Sequence, residues 1–164
     1  MKVNFKKLNE HAVLPTYAKL GDAGMDLTAT SIISNEPFQI TYGTGIAVEI
    51  PEGFVGLVFP RSSIRKYDVD LSNSVGVIDA GYRGEIQATF TKKKGVVSKT
   101  YNVGDRILQI MIIPHPFITF EEVDELSDTD RGVGGFGSTG ILNTNSPNVT
   151  HTSMKPEFVT TTIS

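Results

Sequence analysis

Apolar and polar residues alternate along this chain over short stretches, with a period of two instead of the roughly 3.6 of a helix. Val3 and Phe5 stand between polar neighbours, Val55, Leu57 and Phe59 recur at every second position, and Val75 and Val77 repeat the pattern. This is the pattern of strands with one face on a core. Phe117-Ile-Thr-Phe120 and Tyr101 to Val103 are also rich in strand formers. Ile107 to Ile113 is apolar except at Gln109, which suits a strand covered by core on one side and by a subunit neighbour on the other. Turn chemistry recurs at Asn35-Glu-Pro37, Pro51-Glu-Gly53, Lys94-Gly95 and Pro114-His-Pro116. Short strands punctuated in this way predict an all-β sandwich or barrel. One short helix is predicted, from an N-cap at Ser62-Ser63 to about Tyr67. Lys92-Lys-Lys94 before Gly95 reads as a hairpin tip, and Glu121 to Asp130 as a solvated acidic connector. From Ile141 onward the sequence is Ser/Thr/Asn-rich without a period, the composition of a tail.

The stretch Asn73 to Ile86 is the most informative. It reads as a β-hairpin, with Val75 and Val77 on one arm, strand formers from Tyr82 to Thr91 on the other, and Ala80-Gly81 between them. Gly81 accepts a positive φ at the second turn position. That arrangement puts Asp79 at the end of one strand and Tyr82 at the start of the next, facing one small cavity.

Composition narrows the picture. The 164 residues are enough for one domain with its own core. A net charge of -3 gives no general affinity for nucleic acid or anionic membrane, so a polyanion needs a local cluster of cations. With Cys 0 there is neither disulfide nor thiolate chemistry. No apolar run approaches the roughly 20 residues of a membrane span, and no signal-peptide h-region is visible. The expectation is a soluble cytoplasmic protein that engages neither membrane nor nucleic acid.

Residues suited to phosphate are present. Arg61 and Arg131 offer planar, permanently charged forks, and Ser62 and Ser63 add hydroxyls and N–H groups at the predicted helix start. Gln109 is a polar exception in an apolar strand, placed there for a ligand or satisfied by backbone. Gly132 to Gly140 is glycine-rich without the Gly-Lys-Ser/Thr of a Walker loop, and reads as an arm whose N–H groups can meet phosphate. Phe136 within it is isolated from any apolar stripe and suits stacking on a base. His11, His115 and His151 have no metal-ligand spacing.

Five segments then agree in kind and order: Ala23-Gly-Met-Asp-Leu27, Pro60-Arg-Ser-Ser63, Gly76-Val-Ile-Asp-Ala-Gly-Tyr-Arg-Gly84, Gly104-Asp-Arg-Ile-Leu-Gln109 and Arg131-Gly-Val-Gly-Gly-Phe-Gly-Ser-Thr-Gly140. Together they resemble the ordered motifs of the trimeric dUTPase family. The resemblance implies a distorted jelly-roll (β-clip) subunit of a homotrimer that hydrolyses dUTP to dUMP and pyrophosphate with Mg²⁺. It implies that Gly76, Val77, Ile78 and the facing Gln87 line a uracil slot, with the Asn73 amide contributing. Tyr82 would lie under the deoxyribose and exclude a 2′-hydroxyl. Asp79 would activate the water that attacks the α-phosphorus. Arg61, Ser62, Ser63, Gln109 and Arg131 would hold phosphates, Phe136 would cover the uracil, and Gly137, Ser138 and Thr139 would close over the substrate. The ion would sit on phosphate oxygens and waters with no direct protein ligand, Asp26 acting on it through water at most; Asp26 as a turn carboxylate bonded to backbone is the competing reading. Residues 1–140 would then form the domain, including the arm 131–140, with 141–164 a polar extension. Ser63 departs from the family pattern, where many members carry Gly.

Two rivals are set beside this reading. A dCTP deaminase resembles the pattern in its Arg-Ser-Ser and Asp-x-Gly-aromatic segments, but its chemistry needs a Glu where this chain has Thr89. A dUTPase-like trimer could also act as a protein-binding regulatory module.

Overall fold

The computed structural model describes residues 1–135, and period two is realised in ten strands among them. The chain divides into two compact units, Met1–Thr119 and Phe120–Ser164. In the first, the strands are β1 (Asn4–Lys7), β2 (Met25–Thr28), β3 (Ser31–Asn35), β4 (Gln39–Gly43), β5 (Ile46–Glu49), β6 (Phe54–Pro60), β7 (Val69–Leu71), β8 (Gly76–Ile78), β9 (Gln87–Lys92) and β10 (Arg106–Pro114). They make one four-stranded sheet in the order β2-β10-β6-β8, another in the order β3-β4-β9-β7, and a two-stranded β1-β5 ribbon. All named pairs are antiparallel. The fold is all-β and jelly-roll-like.

Alternation along β4 and β9 explains the core. Ile40 and Tyr42 point inward from β4, and Ala88 and Phe90 from β9, all nearly inaccessible to solvent. They meet Leu27, Val58, Ile107, Leu108 and Ile110 in a single cluster. Burying each such side chain stabilises the fold by roughly 1.5–3 kcal/mol. Tyr42 stands edge-on to Phe90 with ring centroids 5.9 Å apart, and its hydroxyl donates to the Tyr101 carbonyl at 2.6 Å.

Several expectations change. No α-helix forms among the described residues; Ser62–Lys66 and Gly95–Val97 are short 3-10 turns. Arg61, not a serine, occupies the N-cap of the first, without a side-chain cap bond. Tyr101 to Val103 is not a strand, since Tyr101 leaves the ladder to enter the core. Phe117 to Phe120 is not a strand either, and the phenylalanines at its two ends are almost fully exposed. Lys92 belongs to β9 and not to a hairpin tip: it is 8% exposed, and its ammonium donates to Asn35 Oδ1 at 2.5 Å and the Glu36 carbonyl at 2.7 Å. Its neighbours Lys93 and Lys94 pair instead with Asp70 and Asp68.

In β6 the strand is as expected, but the buried positions are Gly56 and Val58. Glycine carries no apolar signal, yet a Cβ on Gly56 would lie 2.7 Å from Ile50 Cδ1, so only glycine fits there. Val55, Leu57 and Phe59 take the opposite face, half-buried, opposite Ile113, Met111 and Gln109 of β10. The second unit, as far as residue 135, holds exposed chain and a turn in which Arg131 Nε donates to the Gly134 carbonyl at 3.0 Å. No helix of the described residues is long and apolar enough to cross a membrane.

Candidate functional site

The expected hairpin is not a ladder. β8 pairs with β6, whereas β9 pairs with β4 and β7 in the other sheet. The chain between Ile78 and Gln87 therefore crosses from one sheet to the other, and the gap it spans is the candidate site. Along one side β8 is an edge strand, because β6 occupies only its other side. Among the described residues no strand pairs with its outer N–H and C=O groups, a row of donors and acceptors suited to a planar polar partner.

A slot of about 380 Å³ opens beside that edge, lined by Asn73, Gly76, Val77, Ile78 and, from the opposite sheet, Gln87 and Thr89. Sequence reasoning had named all of these for the slot except Thr89. A side chain at Gly76 would press on Val58, its Cβ 3.3 Å from that of Val58, and would stand 3.7 Å from Asn73 Nδ2. Gln87 is exposed, and its amide donates to Glu85 Oε2 at 3.3 Å. Glu85 in turn accepts the Gly45 N–H at 2.7 Å, so its carboxylate is committed to positioning. The Thr89 hydroxyl bonds to that of Thr41 at 2.9 Å.

The turn itself differs from expectation in its backbone. Tyr82 N–H reaches the Asp79 carbonyl at 3.0 Å, but Gly81 does not adopt a positive φ, and a Cβ there would meet nothing within 4 Å. Glycine is not required at that position. Gly84 is the position that matters: an added Cβ there would collide with the Tyr82 hydroxyl and lie 2.6 Å from Cζ unless the ring moved away. The Tyr82 ring packs on Gly84 and its hydroxyl donates to the Glu85 carbonyl at 2.9 Å. Asp79 is exposed at the corner; neither it nor Tyr82 lines the slot wall.

A second cleft, of about 680 Å³, collects the polar ends of three other segments: Gly24 and Asp26, Arg61 and Ser62, and Gln109. Asp26 lies in β2 and not in a turn. Its two oxygens receive Arg61 Nε at 2.6 Å and Arg106 Nη1 at 2.8 Å, neither of them backbone. One carboxylate thus holds two guanidinium groups, of which Arg61 borders the cleft beside Asp22 and Asp26, so cation and carboxylates stand together at its wall. Arg61 Nη1 also reaches Ser63 Oγ at 3.5 Å, although Ser63 does not line the cleft. Gln109 donates to the Pro60 carbonyl at 3.2 Å, the backbone-satisfied alternative, while its side chain still borders the cleft. Gly24 lies against it so closely that a Cβ would fall 2.7 Å from Gln109 Oε1.

Arg106 and Ser74 went unrecognised in the sequence. Arg106 follows Asp105 in a motif whose other members drew the attention. Ser74 adopts a φ of 60° without being glycine, at the point where Asn73 borders the slot and Ser74 the cleft. Such strain clusters at functional sites. Only the small polar pair Asn73-Ser74 hinted at it. Arg131 lies in the second unit, and Phe136, Gly137, Ser138 and Thr139 lie outside the described residues.

Comparison with known proteins addresses the family and the fold. A family model described as dUTPase matches residues 10–140. The deoxyuridine 5'-triphosphate nucleotidohydrolase of Rhodococcus erythropolis is 40% identical over 152 residues, covering 90% of this chain and 93% of that protein. That of Hydrogenobaculum sp. is 42% identical, covering 86% and 99%. Among solved structures, a Staphylococcus bacteriophage 80alpha dUTPase with bound dUPNHPP superposes with a TM-score of 0.76 at 27% identity, over 85% of this chain and 99% of that one. A mutant dUTPase from phage phi11 of S. aureus, described with a structural Mg(II) ion, superposes with a TM-score of 0.65 at 25% identity, over 76% and 98%. By sequence, by fold and by the order of its site segments, this chain belongs to the dUTPase family.

Proposed function

We propose that this protein hydrolyses dUTP to dUMP and pyrophosphate, acting as a dUTP diphosphatase. The observation that carries the reading is the free edge of β8 facing a slot whose far wall is the other sheet. Uracil presents acceptor, donor, acceptor along one edge, and a strand edge supplies the complement through Gly76, Val77 and Ile78. The Asn73 and Gln87 amides add adjustable donors. Tyr82, braced on Gly84, meets the sugar and disfavours a 2′-hydroxyl. Asp79, at the exposed corner, takes a proton from the water that attacks the α-phosphorus. Arg61, Ser62 and Gln109 hold the phosphates in the second cleft, with Ser63 beside the Arg61 guanidinium. Arg131 and the segment Phe136, Gly137, Ser138 and Thr139 complete the reading as a closing arm.

Mg²⁺ fits this cleft as an ion borne by the phosphates. Asp22 and Asp26 line it; both Asp26 oxygens already hold arginines, so Asp26 would act on the ion through water and not as a direct ligand. When bound, the ion would neutralise charge developing on the phosphate oxygens. A homotrimer is supported by the apolar outer face of β6 and β10, where Val55, Leu57, Met111 and Ile113 are only half-covered within one subunit, and by the exposed Phe117. We take residues 1–140 as the catalytic domain and 141–164 as an extension. Deamination of dCTP is disfavoured, because Thr89 has no carboxyl to shuttle protons and Glu85 is tied to Gly45 and Gln87.

The test is pyrophosphate release from dUTP, dTTP, dCTP and UTP. Slots that read hydrogen-bonding edges discriminate by about 10⁴–10⁵, so dUTP is expected to dominate, and ammonia from dCTP would overturn the reading. Asp79→Asn is expected to slow turnover by about 10²–10⁴-fold while dUTP still binds.

A further inference from the structure

The corner that carries Asp79 is held mainly at its two ends: β8 pairs with β6 before it, and Glu85 and Ile86 bond to Gly45, Ile46 and Thr44 after it. Between them the turn has one backbone bond of its own, from Tyr82 N–H to the Asp79 carbonyl. No hydrogen bond to the Asp79 carboxylate occurs among the described residues. A base must nevertheless be fixed, since about 1 Å of misplacement costs on the order of 10²-fold in rate.

Arg83 ties the turn itself to the β1-β5 ribbon. Arg83 Nη1 donates to the Ala80 carbonyl at 2.5 Å and to the Tyr82 carbonyl at 2.9 Å, bridging the turn. Its Nη2 reaches Glu49 Oε1 at 3.4 Å, at the end of β5. The other Glu49 oxygen accepts the Asn4 amide at 2.8 Å, from β1. The Asn4 hydrogen bond, and then the Arg83 charge, hold the Glu49 carboxyl below the usual carboxylate range, so it stays ionised for the guanidinium. Two carbonyls and a carboxylate, fixed in direction, match the planar fork of arginine and not the single ammonium of lysine.

We propose that Arg83 is a positioning residue for the proposed dUTP hydrolysis, clamping the Asp79–Tyr82 turn through Glu49 to the β1-β5 ribbon so that the base is held in its working place. The inference rests on the dUTPase reading given above, and it assigns a catalytic consequence to a ribbon that touches neither the slot nor the cleft. Arg83 and Glu49 are each 52% exposed, and an ion pair so placed contributes little to overall stability. A merely structural role therefore predicts almost no effect, whereas the clamp predicts loss of rate in a folded protein that still binds nucleotide.

The experiment compares wild type, Arg83→Ala, Arg83→Lys, Glu49→Gln and the Arg83→Ala/Glu49→Gln double variant, with Asp79→Asn as reference. Pyrophosphate release gives kcat and KM, a non-hydrolysable dUTP analogue gives affinity, and thermal denaturation reports folding. Arg83→Ala is expected to lower kcat by about 10–10²-fold. Analogue affinity is expected to stay within about threefold of wild type, the signature of a group that acts on the reaction step alone. Arg83→Lys should recover part of the rate. The double variant should be no slower than Arg83→Ala, because both changes open the same clamp. Wild-type turnover in Arg83→Ala, additive losses in the double variant, or a rate loss matched by lost affinity or lost folding would each overturn the clamp. An active wild type and an inactive Asp79→Asn beside an unaffected Arg83→Ala would leave the dUTPase reading standing. A wild type that releases no pyrophosphate overturns that reading, and the clamp with it.

Discussion

Replacing Gly84 by alanine adds one methyl group and tests how the sugar is recognised. The new Cβ would sit 2.6 Å from Tyr82 Cζ and 2.9 Å from Cε2. Ordinary contact begins near 3.4 Å, so the ring must retreat by about 0.8 Å, the difference between 3.4 and 2.6. Tyr82 is 43% exposed and can swing toward solvent, which keeps the cost to the fold small. What is lost is chiefly its hydrogen bond to the Glu85 carbonyl, worth about 0.5–1.5 kcal/mol. For a chain of this size about 1 kcal/mol lowers Tm by roughly 2–4 °C. Function should suffer more. A ring displaced by nearly 1 Å no longer fits the deoxyribose, and kcat/KM for dUTP should fall by up to about 10²-fold. UTP should lose less, because the retreating ring makes room for a 2′-hydroxyl, so the dUTP-to-UTP ratio narrows. Pyrophosphate release from both nucleotides, with thermal melts alongside, measures each quantity. A Gly84→Ala protein with wild-type rates and an unchanged ratio would refute both the packing of Tyr82 on Gly84 and its part in excluding ribose.

Two further outcomes are expected. The Tyr101 hydroxyl is buried with no hydrogen-bond partner among the described residues, and burial above all pushes its pKa up to about 12. Tyr101→Phe removes an unsatisfied group and should raise stability by about 1 kcal/mol; a lower Tm at neutral pH would contradict this. The raised value also sets a direction: its stabilising effect is full below the unfolded tyrosine pKa of about 10 and is lost as pH rises through the folded value. Alkaline denaturation curves should therefore begin to fall above about pH 10, and Tyr101→Phe should flatten part of that fall. For assembly, Asp79→Asn and Arg131→Ala proteins should each be nearly inactive, yet regain activity when unfolded and refolded together, since the dUTPase resemblance places hairpin and arm of one site on different chains. Mixed trimers that stay inactive would exclude a shared site.

Much of this was legible because strands announce themselves by alternation and turns by glycine and proline. Turns at Pro51-Glu-Gly53 and Asn35-Glu-Pro37 and the long strand through Ile107 stand where the pattern put them. The failures share a cause. Two arms separated by a tight turn look like a hairpin, but pairing is decided by partners distant in sequence, and β6 and β4 took the two arms apart. Gly56 was invisible as a core position because its value lies in what cannot be there. Lys92 reads as part of a hairpin tip because three lysines precede a glycine, whereas the two oxygens that hold it at the end of β9 lie 57 and 56 residues away. In the site, residue types were readable from motifs, whereas their attachments were not. That Asp26 holds Arg61 and Arg106 together, and that Gly84 exists for Tyr82, are facts of three-dimensional adjacency.

The slot beside β8 has a floor of a particular kind. Val58, Leu71, Ala88 and Leu108 line it, and all four belong to the buried core. In the proposed reading, recognition of the base and cohesion of the fold are thus written in the same side chains, and neither can be tuned alone. A substitution such as Ala88→Val, chosen to fill space and harden the protein against heat, would also raise the floor and change which heterocycle fits. Conversely, selection for a different base at this position would be felt first as a loss of thermal tolerance. In an engineering campaign, the apparently silent interior positions of this protein are the ones whose nucleotide preference has to be rechecked after every change.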